Sequence, residues 1–287
     1  MPLNLDAVGT TSTPSTVEWT ADEALIYALG VGAGQDDPLR ELAFTTENTH
    51  GVQQRVLPTF GVVLNQFRGT RRLDIGTFDP AMLVHAEQSV ELSGALPASG
   101  ALEVVSTVTG IYDKGSGALV VSEATGTPPG GVVPLVVTRS SLFIRGEGGF
   151  GVRGPKDAWA APERDAEIVL EASTRPDQAL LYRLSGDHNP LHTDPAYAAR
   201  AGFPKPILHG MATYGVVGRV LLNALADGDT ERFAGMSGRF SKPVFPGERL
   251  SVQVWNADEG GLEHLFRVAN DRDEIVLDRG TFVLRAA

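Results

Sequence analysis

The chain has 287 residues, 42% of them hydrophobic and 21% charged, which is long for one ordinary domain and comfortable for two, each with its own core. A formal charge of −11 argues against nucleic acid or an anionic membrane as the main partner, because both select basic surfaces. The lack of cysteine excludes disulfides, thiolate nucleophiles and cysteine metal sites.

Met1-Pro-Leu-Asn-Leu-Asp lacks the basic start of a secretory signal, and no apolar run approaches the roughly 18 residues of a membrane span, so a cytoplasmic protein is expected. In the first half, Pro58 fixes the start of a short apolar helix predicted over residues 59–67. Strands follow at 86–92, 102–113, 118–125 and 134–145. Gly146-Glu-Gly-Gly-Phe-Gly-Val-Arg-Gly-Pro155 then reads as a linker. Gly146-x-Gly148-x-x-Gly151 formally matches a dinucleotide fingerprint, but Arg153-Gly154-Pro155 stands where the helix of that motif should begin.

The second half repeats the order with longer helices. Residues 175–184 are helix-compatible, Asp194-Pro195 opens a short helix that Gly202 stops, and residues 207–225 form a helix apolar on nearly every side, hence buried. Alternating strands follow at 232–242, 249–256, 262–268 and 274–284. One buried helix followed by antiparallel strands is what a helix wrapped by a curved sheet writes in sequence. Three short strings recur in order about 150 residues apart, which favours duplication. Tyr27-Ala-Leu-Gly returns as Tyr182-Arg-Leu-Ser, Thr59-Phe-Gly-Val-Val as Thr213-Tyr-Gly-Val-Val, and Pro97-Ala-Ser-Gly-Ala-Leu-Glu-Val as Pro246-Gly-Glu-Arg-Leu-Ser-Val. The organisation expected is 1–145, a linker at 146–162, and 163–287.

The chemistry concentrates in Tyr182-Arg-Leu-Ser-Gly-Asp-His-Asn-Pro-Leu-His192. Pro190, Gly186 and Asn189 favour a kinked loop, which crowds Asp187, Asn189 and His192 within six residues. A carboxylate, an amide and an imidazole that close can share one water and move two protons. An ordinary turn or cap residue is the plain alternative for Asp187, and an ordinary turn for Asn189-Pro190. His188 and His192 have the spacing of helical zinc ligands, yet Pro190 breaks the helix that would align them, so no metal is expected. No Gly-x-Ser-x-Gly elbow supports a serine hydrolase. Arg239 and Lys242 flank Phe240 on one predicted strand, Lys114 tips a glycine-rich hairpin, and these are the cations available to an anionic ligand; solvated strand-end charges are the plain alternative.

The 182–192 string, with Leu208-His209-Gly210-Met211 and Arg239-Phe240-Ser-Lys242-Pro-Val-Phe-Pro246-Gly247-Glu, resembles the MaoC-like (R)-specific enoyl-CoA hydratases, or hydratase 2, of the hotdog fold. Leu57-Pro-Thr-Phe, Val84-His85-Ala86-Glu87-Gln88 and Asp113-Lys114-Gly-Ser-Gly117 extend the likeness to the non-catalytic first half of the two-domain members. The resemblance implies an α+β double hotdog and syn addition of water to a trans-2-enoyl-CoA, giving the (3R)-3-hydroxyacyl-CoA. Asp187 and His192 are expected as the acid–base pair, Asn189 as the group that aligns water or partner, and the Gly210 amide as the donor to the thioester oxygen. His85, Ala86, Lys114 and Phe240 are expected against the CoA portion, with Ala86 standing where the family usually has glycine. CoA belongs to the substrate, and no separate cofactor is implied. His209 reads either as a hydrogen-bonding residue or as a second base.

The first half has no aspartate or histidine at the places matching the catalytic loop, and its shorter central helix leaves room for an acyl tail. Three functions compete: a hydratase on CoA thioesters, a dehydratase on carrier-protein or steroid side-chain CoA thioesters, and a catalytically silent acyl-CoA binding protein. A homodimer is expected.

Overall fold

The computed structural model describes residues 3–69, 73–79, 82–156 and 158–286. Ten strands form one antiparallel sheet: β1 (Ser15–Trp19), β2 (Leu83–Leu92), β3 (Gly100–Asp113), β4 (Gly117–Thr127), β5 (Val136–Arg145), β6 (Ile168–Ser173), β7 (Phe233–Phe240), β8 (Arg249–Asn256), β9 (Glu263–Asn270) and β10 (Ile275–Leu284). Their spatial order is β1-β3-β4-β5-β2-β7-β10-β9-β8-β6, so the second half repeats the first in reverse and the duplication is visible in the pairing. The halves meet where β2 pairs β7, with Glu87 opposite Arg239 and Ser89 opposite Ser237. The eight strands expected from alternation fall within three residues of β2–β5 and β7–β10. The five-residue β1 and the six-residue β6 were not expected; each opens its half at an edge of the sheet.

The helices are α1 (Ala21–Gly30), α2 (Leu42–Thr45), α3 (Phe60–Val62), α4 (Gln178–Tyr182), α5 (Pro195–Arg200) and α6 (Gly210–Ala226). Thr20 and Glu23 start α1 with a reciprocal capping box, and Asp194 caps α5 with Pro195 in its first turn. In α6, residues Met211 to Arg219 are all buried, as expected of a helix apolar all round. It begins three residues later than the periodicity suggested: His209, at ψ 133°, is its non-helical N-cap. The central helix of the first half is a single α turn that continues as a π-helix, Val63–Gly69, rather than the regular helix expected over 59–67. There the buried Asn65 donates to the Ala124 carbonyl (3.0 Å), tying the widened turn to β4.

Both central helices bury into one continuous apolar cluster that runs from Trp19 and Phe60 to Phe266 and Leu284. Two curved antiparallel sheets, each closing on its own helix and fused edge to edge, make the double hotdog that the sequence resemblance implies. Tyr27 of α1 and Tyr182 of α4, the echoed tyrosines, are both fully buried with ring centres 6.2 Å apart, on the pseudo-twofold between the halves. The glycine-rich segment after β5 is fastened at both ends. Asp113 accepts N–H groups from Gly115, Gly149 and Gly151, which hold its carboxyl below the ordinary range, and Trp159 donates to the Gly280 carbonyl (3.1 Å).

Candidate active site

Gly186, at φ +124°, takes a backbone conformation that side-chain-bearing residues rarely adopt, and so turns the chain sharply into Asp187. The loop is then wound on its own side chains: Asp187 Oδ1 accepts the Asn189 N–H (3.1 Å) and Asn189 Oδ1 accepts the Leu191 N–H (3.0 Å). Asn189 thereby caps the 3-10 turn Pro190–His192, which delivers the His192 ring inward at 8% exposure. His192 Nδ1 lies 2.9 Å from the Ile207 carbonyl. A carbonyl only accepts, so in neutral His192 the proton sits on Nδ1 and the Nε2 lone pair faces the site.

His209 stacks on His192, with ring centres 3.8 Å apart and planes at 30°, and its Nε2 lies 3.2 Å from the Asp187 carbonyl. A carboxylate oxygen of Asp187 and one ring nitrogen from each imidazole fall within 4.8 Å of one another. Donors this close can share one water, or a cation; the sequence expectation is water. Burial lowers the pKa of His192, against the upward pull of the Ile207 hydrogen bond and the Asp187 charge. Burial and the neighbouring His192 push His209 down to about 3. Gly210 is the first residue of α6, so its amide has no partner in the helix and sits at the positive end of the dipole.

The first half supplies the opposite wall. His85 lies 5.1 Å from the Phe240 ring, and a Cβ on Gly210 would lie 3.3 Å from that same ring. His85 Nε2 is 3.1 Å from both the Glu87 carbonyl and Ser140 Oγ; burial lowers its pKa to about 4, and the charge of Asp187 reaches it. Ala86 is the extra residue of a β-bulge: the ladder steps from His85 opposite Leu142 to Glu87 opposite Ser141. The register puts Asp113, Ala118, Ile144 and Leu83 in one row, so the Lys114 hairpin, His85 and Phe240 occupy the same end of the sheet. Lys114 and Lys242 are exposed there. Arg239, the third cation, forms an ion pair with Glu87 across the seam.

Beside Ser185 and Gly186 a cleft of about 120 Å³ opens between the halves, walled by Ile26, Phe60 and Leu184 and rimmed by the Glu23–Arg68 ion pair (2.6 Å). The sequence brought Asp187, Asn189, His192 and Gly210 into view together. It missed the Ile207 carbonyl, Ser140 and the pairing of Glu87 with Arg239, because backbone acceptors and cross-strand partners leave no local pattern.

Fold and relatives together define an enzyme of the hydratase and dehydratase class, built on two hotdogs. Residues 157–274 match the model of the MaoC like domain, and residues 17–146 match the MFE-2 hydratase 2 N-terminal domain. The chain is 44% identical to 3-hydroxyacyl-thioester dehydratase Y of Mycobacterium tuberculosis over 98% of both chains, and 41% identical to enoyl-CoA hydratase ChsH3 of the same organism over the whole of both. The crystal structure of a MaoC-like dehydratase from Phytophthora capsici superposes with a TM-score of 0.88 at 32% identity, covering 99% of this chain and 98% of that one. The chain belongs to the MaoC-like hydratase 2 family, and it is a hydro-lyase. Among the described residues no helix is long and apolar enough to cross a membrane.

Proposed function

We propose that the chain catalyses the reversible syn hydration of a trans-2-enoyl-CoA to the (3R)-3-hydroxyacyl-CoA. The observation that carries this reading is the meeting at one seam of a carboxylate, an imidazole with an inward lone pair, and an unpartnered helix-terminal amide. Carbon 3 of the enoyl thioester becomes electrophilic only as its thioester oxygen gathers charge, and the Gly210 amide is the donor for that charge; losing such a donor typically costs about 3–4 kcal/mol of barrier. Water held between Asp187 and His192 gives its oxygen to carbon 3 and a proton to the base, while the acid delivers a proton to carbon 2. The net change is addition of H and OH across one double bond. The two groups lie close enough to titrate as a pair, and the roles are assigned to the pair. Asn189 fixes the loop through its Oδ1 and keeps its amide N–H groups for the water or for Asp187.

Exposed Lys114 and Lys242 meet the phosphates of CoA, His85, the Ala86 bulge and Phe240 flank its thioester end, and Arg239 braces that wall through Glu87. The acyl tail runs toward the first half, where the central helix is short and the cleft of Ile26, Phe60 and Leu184 opens. The test is loss of enoyl-thioester absorbance with purified protein. Asp187→Asn and His192→Gln should each lower kcat by about 10²–10⁴-fold; folded variants at undiminished rate would remove the mechanism. Medium and long chains should be turned over, and activity confined to four-carbon substrates would reject the placement of the tail.

The opposite direction, dehydration of a 3-hydroxyacyl thioester, uses the same groups. The name of the 44% identical relative favours it, and turnover on CoA against carrier-protein thioesters separates the two substrate classes. The proposed assembly is a homodimer, with the sheet edges at β1 and β6 available for contact; a monomer mass by light scattering would exclude it.

A further inference from the structure

The acid–base loop and the oxyanion helix are separate pieces of chain, and some contact must set the distance between them. His209 is adjacent to Gly210 and cannot move without moving that amide. It occupies the N-cap of α6, a position whose side chain commonly bonds the first turn, yet its ring makes no capping bond. The ring instead reaches back 22 residues in sequence to the Asp187 carbonyl, with His192 stacked at 3.8 Å and Tyr182 at 4.9 Å.

We infer that His209 is a positioning residue: its Nε2–H bond to the Asp187 carbonyl and its stack on His192 hold the acid–base loop at a fixed separation from the Gly210 amide. The assignment rests on the hydratase reading and excludes the second base left open by the sequence. The ring is 1% exposed, its Nε2 is committed to a carbonyl, and its buried Nδ1 has no hydrogen-bond partner among the described residues. The charged and titratable groups that act on it are Asp187, His188 and Arg183 on the loop, His192 on the 3-10 turn and Tyr182 on α4. Burial above all, with His192 and Arg183 beside it, keeps the ring neutral, so it adds no charge beside His192.

Two variants separate positioning by the hydrogen bond from simple filling of space. His209→Gln keeps a donor at the Nε2 position and loses the ring; His209→Phe keeps the stacked ring and loses the donor. With a trans-2-enoyl-CoA as substrate, His209→Phe should lower kcat about 100-fold at nearly unchanged KM, and His209→Gln should stay within about tenfold of the parent, since a displacement of about 1 Å at a reacting centre costs on that order. The reverse order, or losses seen only in KM, overturns the inference. If His209→Phe does not fold, ¹⁵N-histidine NMR of the unaltered protein decides. His209 should be the neutral Nε2–H tautomer throughout pH 5–8, and a titrating ring or the Nδ1–H tautomer overturns the assignment. That spectrum does not depend on turnover, so an inactive parent with the expected tautomer would count against the hydratase reading and not against the contact.

Discussion

His192 has one ring nitrogen committed and one left over. With Nδ1–H directed at the Ile207 carbonyl, the Nε2 lone pair is aimed rather than free to exchange tautomers, as an acid–base imidazole requires. Burial lowers its pKa, so the ring stays neutral at pH 7, while the charge of Asp187 opposes that shift. The sign of the pH dependence follows. Activity needing a neutral imidazole is lost as pH falls through the lowered value, so the acid limb of kcat/KM should lie below the ordinary histidine pKa of about 6.5. Removing the carboxylate charge in Asp187→Asn removes an upward pull, so the limb of the residual activity should move further toward acid; a shift toward neutrality would contradict the pairing. Asn189 acts on the loop itself, since its Oδ1 caps the turn that carries His192.

At the scale of elements, α6 is shaped more by its neighbours than by helix propensity. Gly215 lies mid-helix, where glycine costs roughly 0.5–1 kcal/mol relative to alanine. A Cβ there would lie 2.7 Å from Tyr27 Oη and 2.5 Å from Val31 Cγ1, so the missing side chain is what lets the second half's helix seat on the first half. Gly215→Ala should therefore destabilise the protein by about 1–3 kcal/mol despite its better propensity. A urea midpoint equal to or above the parent's would show that α1 yields without cost. The π-wound continuation of α3 and the bulge at Ala86 are the two irregular stretches of the first half that flank the site, and both forgo regular hydrogen bonding to reshape a wall.

At the scale of the molecule, the halves are joined by more than the β2–β7 pairing. Arg219 of α6, nearly buried, is paired with Glu41 at 2.8 Å and donates to the Val31 carbonyl (3.0 Å), and Asn223 adds a bond to the same carboxylate (2.6 Å). An excursion of the first half is thus clamped onto the catalytic half's central helix. Glu41→Gln leaves a buried guanidinium without its counter-charge, a change expected to cost about 3–5 kcal/mol. It should lower the denaturant midpoint in a single transition, because one core spans both halves. Two separate transitions in the variant would mean that the halves fold independently of this pair.

The eight long strands, the buried second-half helix and the duplicated order were legible in the sequence because alternation and all-round apolarity are local patterns. The candidate groups Asp187, Asn189, His192 and Gly210 were visible as candidates because they lie in two short strings. The edge strands β1 and β6 were not, since five or six residues carry too little alternation, and the π-winding after Val62 has no periodicity of its own. The pairing of Arg239 was not legible for a related reason: a strand residue's charge is visible in sequence, but its partner Glu87 lies 152 positions away and is brought opposite only by the β2–β7 register. Sequence alone determined which groups are candidates for the chemistry, because residue type fixes donors, acceptors and protons. Tertiary structure decided how they are held, because the Ile207 carbonyl that orients His192, the His209 link and the His85–Phe240 wall exist only after the two halves pack along one seam.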